Sequence, residues 1–192
     1  MTTPSLRVRR RQETTTTIAE AALDLAVERG WPSVTVDDVA EAAGISRRTF
    51  FNYFPTKDEA LLHLAASWDA GLLTAFSGST GPVLDALEDL VVAQTEQQLH
   101  DRDRGLRVMR LVEGTPELLP GLLARFAVVE RDLAAALRAR DPGRDPVQAD
   151  VLAACVGAVV RVASTTWLTG STDPDPVATL RRAFSALRTV GA

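Results

Sequence analysis

Helix punctuation recurs along this chain, and almost nothing in it alternates as a strand would. Thr17 with Glu20, Thr35 with Asp38, and Thr56 with Glu59 each set a hydroxyl three residues ahead of a carboxylate, the spacing of a capping box. Gly30 and Gly44 stand where helices stop, and Pro55 forbids a helix from continuing through it. Short β-branched runs such as "SVTV" occur, but none alternates over a strand length with a hairpin turn behind it. The pattern predicts an all-α protein.

The apolar spacing agrees. In "TTIAEAALDLAVERG" the residues Ile18, Ala22, Leu25 and Ala26 share one helical face, and in "TVDDVAEAAG" Val39, Ala40 and Ala43 face inward. A short helix capped by Ser46 should run to about Phe54, and the next should start at Lys57 and pass Trp68. "SGSTGP" reads as a linker-like break. Beyond it, helices are expected over 82–100, 104–114, 116–140, 147–170 and 174–189, divided by Gly105, Gly114, Pro116, "DPGRDP" and "STDPDP". This predicts a compact N-terminal module over 1–63, led by the basic segment "MTTPSLRVRRRQE", and a larger helical body over 64–192.

Composition narrows what such a protein can do. With 46% hydrophobic and 24% charged residues over 192 positions, it reads as one soluble globular chain with a real core. A net charge of −4 excludes a general polycation, so any nucleic-acid contact must come from a local patch. Cys155 is the single cysteine, which rules out an internal disulfide or a multi-thiolate zinc site, and His63 and His100 lack neighbours at metal-ligand spacing. No nucleophile–base pair or metal cluster points to an enzyme, and no cofactor is implied. The N-terminus has no apolar segment of a signal peptide, and the apolar run 151–168 is interrupted by Arg161. That run reads as a buried or interface helix, and the protein as cytoplasmic.

"AAGISRRTFFNYFPTKDEALL", residues 42–62, departs from this Ala-, Leu- and Val-rich background. At about 100° per residue, Arg47, Arg48, Phe51 and Asn52 fall within one arc, while Phe50 and Phe54 lie together on another side. The phenylalanine pair can anchor the helix on a core while the other four project outward. An outward Arg, Arg, Phe and Asn suits the DNA major groove, where Arg pairs with guanine, Asn with adenine, and an aromatic edge meets the thymine methyl. Two short helices joined by a tight glycine turn form a helix-turn-helix, whose second helix enters that groove. Thr49 and Tyr53 suit phosphate contacts, as does Lys57 in the next helix. Arg10 and Arg11, with Arg7 and Arg9, offer a flexible basic arm. A solvated charged face is the alternative, and an exposed Phe51 argues against it.

"TVDDVAEAAGISRRTFFNYFPTKDEALL" resembles the DNA-binding signature of TetR-family transcriptional regulators over roughly 14–64. Thr35, Val39, Ala40, Ala43, Gly44, Ser46, Thr49, Phe51, Tyr53, Phe54 and Lys57 carry the resemblance. It implies an all-α dimer that represses transcription until a small molecule binds the C-terminal domain. It also implies a turn at 44–46, a recognition helix over 46–54, DNA contact at Thr35 and Ser46, and backbone contacts from Tyr53 and Lys57. "RLVEGTPELLPGLLARFAVVERDLAAAL" is similar to regulators of acyl-CoA-like ligands related to the mycofactocin regulator, although Gly114 departs from that pattern.

Candidate lining residues for an apolar effector pocket are Trp68, Leu72, Phe76, Leu106, Met109, Arg110, Phe126 and Trp167, each of which a plain core would also hold. Arg107, Arg110 and Arg125 are candidate partners for a phosphate or carboxylate. "ADVLAACVGAVVRVASTTWL" is apolar nearly all round, and in "VATLRRAFSALRTV" the residues Val177, Leu180, Phe184 and Leu187 share a face. Together these two helices predict a four-helix bundle across a two-fold axis, hence a homodimer. Arg161 within the first run is a puzzle, for which a buried pair with an acid such as Glu130 or Asp150 is one option. The reading is a ligand-responsive regulator that binds a double-stranded operator, with no membrane partner; the alternative is a helical small-molecule carrier or adaptor without a DNA role.

Overall fold

The computed structural model describes residues 6–98, 102–169 and 175–190. Residues 1–5 of the expected arm and His100 lie outside these, as do the side chains of Arg7 and Arg9. Every regular element among the described residues is helical: α1 (Leu6–Arg29), α2 (Val36–Ala42), α3 (Arg47–Phe51), α4 (Lys57–Leu62), α5 (Ala70–Ser77), α6 (Val83–Gln98), α7 (Arg102–Gly114), α8 (Leu119–Arg140), α9 (Pro146–Thr169) and α10 (Pro176–Val190). Single 3₁₀ turns precede α2 and α8.

Packing divides the chain into two units, and not by a single cut after residue 63. The first joins Met1–Ser67 with Asp103–Arg125, and the second joins Trp68–Arg102 with Phe126–Ala192. In the first unit the expected stripe of α1 is buried at Ile18, Ala22, Leu25 and Ala26, against Val39 and Ala40 of α2, Phe50, Phe54 and Leu61. Val108 of α7 and Leu118 complete this core. Ion pairs from Arg104 to Glu20 and from Arg107 to Asp24 line the α1–α7 contact.

The second unit has its own core. Ala149, Ala153, Val156, Val159 and Ala163 form the buried stripe of α9, packed with Leu180 and Phe184 of α10, Leu133 and Leu137 of α8, and Leu87 and Val91 of α6. Arg188 ties α10 to α6 through Glu88 at 2.6 Å and Asp85 at 2.8 Å, and both carboxylates raise its pKa. By length and composition α9 is apolar enough to cross a bilayer, but it buries one face inside this unit.

Four readings are corrected. Residues 6–11 are not a loose arm, because α1 already begins at Leu6. The capping box at Thr17 does not form: the Thr17 hydroxyl donates back to the Glu13 carbonyl at 3.0 Å, and Thr14 and Thr15 do the same to Arg10 and Arg11. The helix from Lys57 does not pass Trp68. It closes at Leu62, Arg125 Nε donates to the Ala66 carbonyl, and Asp69 accepts from the Leu72 amide to cap a new helix. Lastly, Arg161 pairs with neither expected acid: Asp150 holds Arg138 at 2.8 Å, and Arg161 is exposed on α9.

Candidate DNA-binding surface

α2 is closed at both ends by local hydrogen bonds. Thr35 accepts from the Asp38 amide at 3.2 Å while the Asp38 carboxylate accepts from the Thr35 amide at 2.7 Å, the predicted capping box. Those bonds to Thr35 hold the Asp38 carboxyl below the usual range. At the other end Gly44 takes φ +67 and donates to Glu41, while the Ile45 amide reaches back to Ala40 at 2.9 Å. This is a Schellman stop, which needs a left-handed residue after the helix. One residue later Ser46 accepts from the Thr49 amide at 3.0 Å and starts α3.

The regular part of α3 is shorter than expected. It covers Arg47–Phe51, and Asn52 to Phe54 continue as a tight turn in which the Phe54 amide donates to Phe50. The two faces fall as the spacing predicts. Phe50 is 0% exposed and Phe54 5%, with ring centroids 6.1 Å apart, while Arg47, Arg48, Phe51 (46%) and Asn52 are exposed. Burying a ring of that size stabilises by about 1.5–3 kcal/mol, so the inward pair fixes the rotation of α3 and hence its outward face. A large apolar ring standing among arginines has no such reason to be in water.

Several expected contact residues have work inside the protein. The hydroxyls of Thr35, Ser46 and Thr49 serve the caps, Ser46 and Thr49 lying 2.8 Å apart. Lys57 does not point outward: its ammonium donates to the carbonyls of Trp31 and Val34 at 2.9 and 2.6 Å and lies 4.5 Å from the Trp31 ring. Asp58 accepts from the Trp31 indole on the same turn. Arg11 reaches from α1 to the end of α3, where it donates to the Asn52 carbonyl at 3.3 Å and lies over the Tyr53 ring at 4.9 Å. Arg10 is exposed. Two contacts were absent from the sequence reading. Arg47 Nη1 donates to Asp37 at 2.7 Å, and Arg125 sits 3.2 Å from the His63 ring nitrogen.

The expected effector residues are divided between the two units. Phe76 is core, and Trp68 and Leu72 pack against that same core, Trp68 donating to the Val129 carbonyl at 3.0 Å. Phe126 and Trp167 also belong to the second unit, but Leu106, Met109 and Arg110 belong to the first. Arg110 is exposed and bonds its own helix at Leu106. An open cleft of about 390 Å³ lies beside Gln12, Glu13, Thr16 and Thr17 of α1, lined by none of the expected residues.

Two short helices, a left-handed glycine between them, and a second helix that shows a basic and aromatic face define a helix-turn-helix regulator of transcription. Known proteins place it further. Residues 18–64 match the family profile of the bacterial regulatory proteins of the tetR family, and residues 81–191 match that of the MftR C-terminal domain. The HTH-type transcriptional regulator TcmR of Streptomyces glaucescens is 31% identical over 179 residues, 85% of this chain and 77% of TcmR. The chain belongs to the TetR family. Among solved structures, the FadR repressor of Thermus thermophilus in complex with lauroyl-CoA has a TM-score of 0.52 at 23% identity, over 90% of this chain and 92% of FadR. The AlkX repressor of Dietzia sp. strain DQ12-45-1b has a TM-score of 0.54 at 22% identity, over 90% and 94%. These two share the fold. The protein is thus a transcriptional regulator with a family-type ligand-binding C-terminal domain, and its named relatives are regulators rather than enzymes.

Proposed function

We propose that this regulator is a cytoplasmic repressor, which holds a pseudo-palindromic operator through α3 of two copies and leaves it when a small apolar or acyl-CoA-like effector binds. The observation that carries the reading is the outward quartet Arg47, Arg48, Phe51 and Asn52, backed by the buried Phe50 and Phe54. Arg47 and Arg48 read guanine, Asn52 reads adenine and Phe51 meets a thymine methyl. Tyr53 and Arg10 face phosphates. Arg11 clamps the end of α3, and Thr35, Ser46, Thr49 and Lys57 hold the frame that presents it.

Two copies associate through α9 and α10. The side of α9 left outside its core is a stripe of Val147, Val151, Ala154, Ala158 and Val162, with the three valines 50–66% exposed. A stripe of that kind on a regular helix favours burial against a second copy. The acyl-CoA class is taken from the lauroyl-CoA held by FadR and from the MftR-type C-terminal domain, and it is the class to test first.

The test is anisotropy of labelled DNA from the gene's own upstream region against a scrambled duplex. The native duplex should bind more tightly, and Arg47→Ala should cost about 1–3 kcal/mol on it alone. Acyl-CoA thioesters should then release the wild-type complex. Equal effects of Arg47→Ala on both duplexes would remove α3 as the reading helix.

A further inference from the structure

Asp37 and Asp38 are adjacent carboxylates at the start of α2, and they do different work. Asp38 closes the capping box on Thr35 and has Arg29 at 3.7 Å. Asp37 is not needed for that cap. Its carboxylate instead crosses the turn to α3 and accepts from Arg47 Nη1 at 2.7 Å, while the Arg47 guanidinium lies 5.5 Å from the Phe51 ring. Both side chains of the pair are more than half exposed, at 58% and 66%. So exposed a pair contributes little to folding. Arg48, the next residue, is exposed and has no ion pair among the described residues.

Resting on the reading of α3 as the recognition helix, we infer that Asp37 is a specificity-determining residue. It positions the Arg47 guanidinium for a guanine edge and disfavours its use on phosphate. A guanidinium carries five N–H donors in one plane. With one donor on Asp37 and one face on Phe51, the plane is held while further donors stay available, and two of them suffice for guanine O6 and N7. A tetrahedral phosphate offers acceptors in several directions, so it gains less than a flat guanine edge from a plane fixed in advance. It competes with a carboxylate already in place and meets the negative charge of Asp37 beside the arginine. The pair therefore lowers affinity for arbitrary DNA and keeps affinity for a site that offers the two acceptors.

The test compares wild type, Asp37→Asn, Asp37→Glu, Arg47→Ala and the double variant Asp37→Asn/Arg47→Ala. Each is titrated onto a duplex enriched by the wild-type protein from random DNA and onto a scrambled duplex of equal composition. Asp37→Asn should tighten binding to the scrambled duplex and lower the preference for the selected one by roughly fivefold, while Asp37→Glu keeps most of it. In the Arg47→Ala background the Asn substitution should no longer change the preference. Asp37→Ser, which also suits a helix start, is run beside Asp37→Asn, and thermal melting shows that each variant is folded. If Asp37→Asn and Asp37→Ser shift both duplexes by one factor, Asp37 acts only as a distant charge and the inference fails. If Arg47→Ala leaves the preference intact, the recognition-helix reading itself fails, which is a separate outcome.

Discussion

Lowering the pH from about 7.5 to about 5 should destabilise the protein by about 2 kcal/mol through one side chain, His63. This residue caps the end of α4, its ring packs edge-on to Phe54 at 5.6 Å, and its Nδ1 lies 3.2 Å from the Arg125 guanidinium. Burial first, and the charge of Arg125 second, push its pKa down from 6.5 to about 4. Between those values the unfolded chain binds the proton and the folded one does not, so stability rises with pH. The contribution is complete above pH 6.5 and is lost as pH falls toward 4, reaching about 3 kcal/mol when fully titrated. At about pH 5 roughly 2 kcal/mol is gone, a melting-point fall of about 4–8 °C for a chain of this size.

Carboxylates also titrate in this range, so the wild type is compared with His63→Asn, whose amide oxygen keeps an acceptor near Nδ1 but takes no proton. Thermal melts by circular dichroism at both pH values give the answer. Wild type should lose about 2 kcal/mol more than the variant over the interval. Equal losses would mean that His63 is already protonated, or is solvated in the folded state. Because Phe54 is an inward anchor of the recognition helix, operator affinity should fall together with the melting point.

Two other substitutions test separate parts of the architecture. Gly44→Ala meets no atom within 4 Å of the new Cβ, so its cost is the left-handed backbone alone, about 1–2 kcal/mol, read as a lower urea midpoint with unchanged slope. An unchanged midpoint would mean that the turn relaxes without strain. Val151→Asp places a charge on the exposed stripe of α9 and should convert a dimer into monomers by light scattering, whereas an unchanged mass would put the interface elsewhere.

The sequence was most legible where structure is made by neighbours. Thr35, Ser46 and Thr56 cap the helices that their spacing predicts, and Gly30 and Gly44 end the helices before them, because each device is completed within a few residues. The two faces of α3 follow from helical geometry alone. The same cap grammar failed at Thr17, where a hydroxyl inside a helix bonds backward as readily as a hydroxyl at its start bonds forward. No glycine or proline marks the end of α4 at Leu62, although His63 caps it there. The chain beyond is held by Arg125 on the Ala66 carbonyl and by Trp68 on the Val129 carbonyl, partners about sixty residues away.

The site follows the same division, and this bears on how far motif reading can go. Lys57 looks like a phosphate ligand until Trp31 and Val34 place two carbonyls within its reach. Asp37 looks like a helix-start acid until the turn at Gly44 brings Arg47 to it. Both residues are charged, both sit in the first turn of a short helix, and the motif assigns neither its partner. What decides their roles is where a long ammonium side chain on α4 and a short carboxylate on α2 come to lie once the two helices are packed against their neighbours. The outward quartet is the face proposed to read DNA; the contacts between α2, α3 and the turn before α2 decide which of the nearby charges are free to join it.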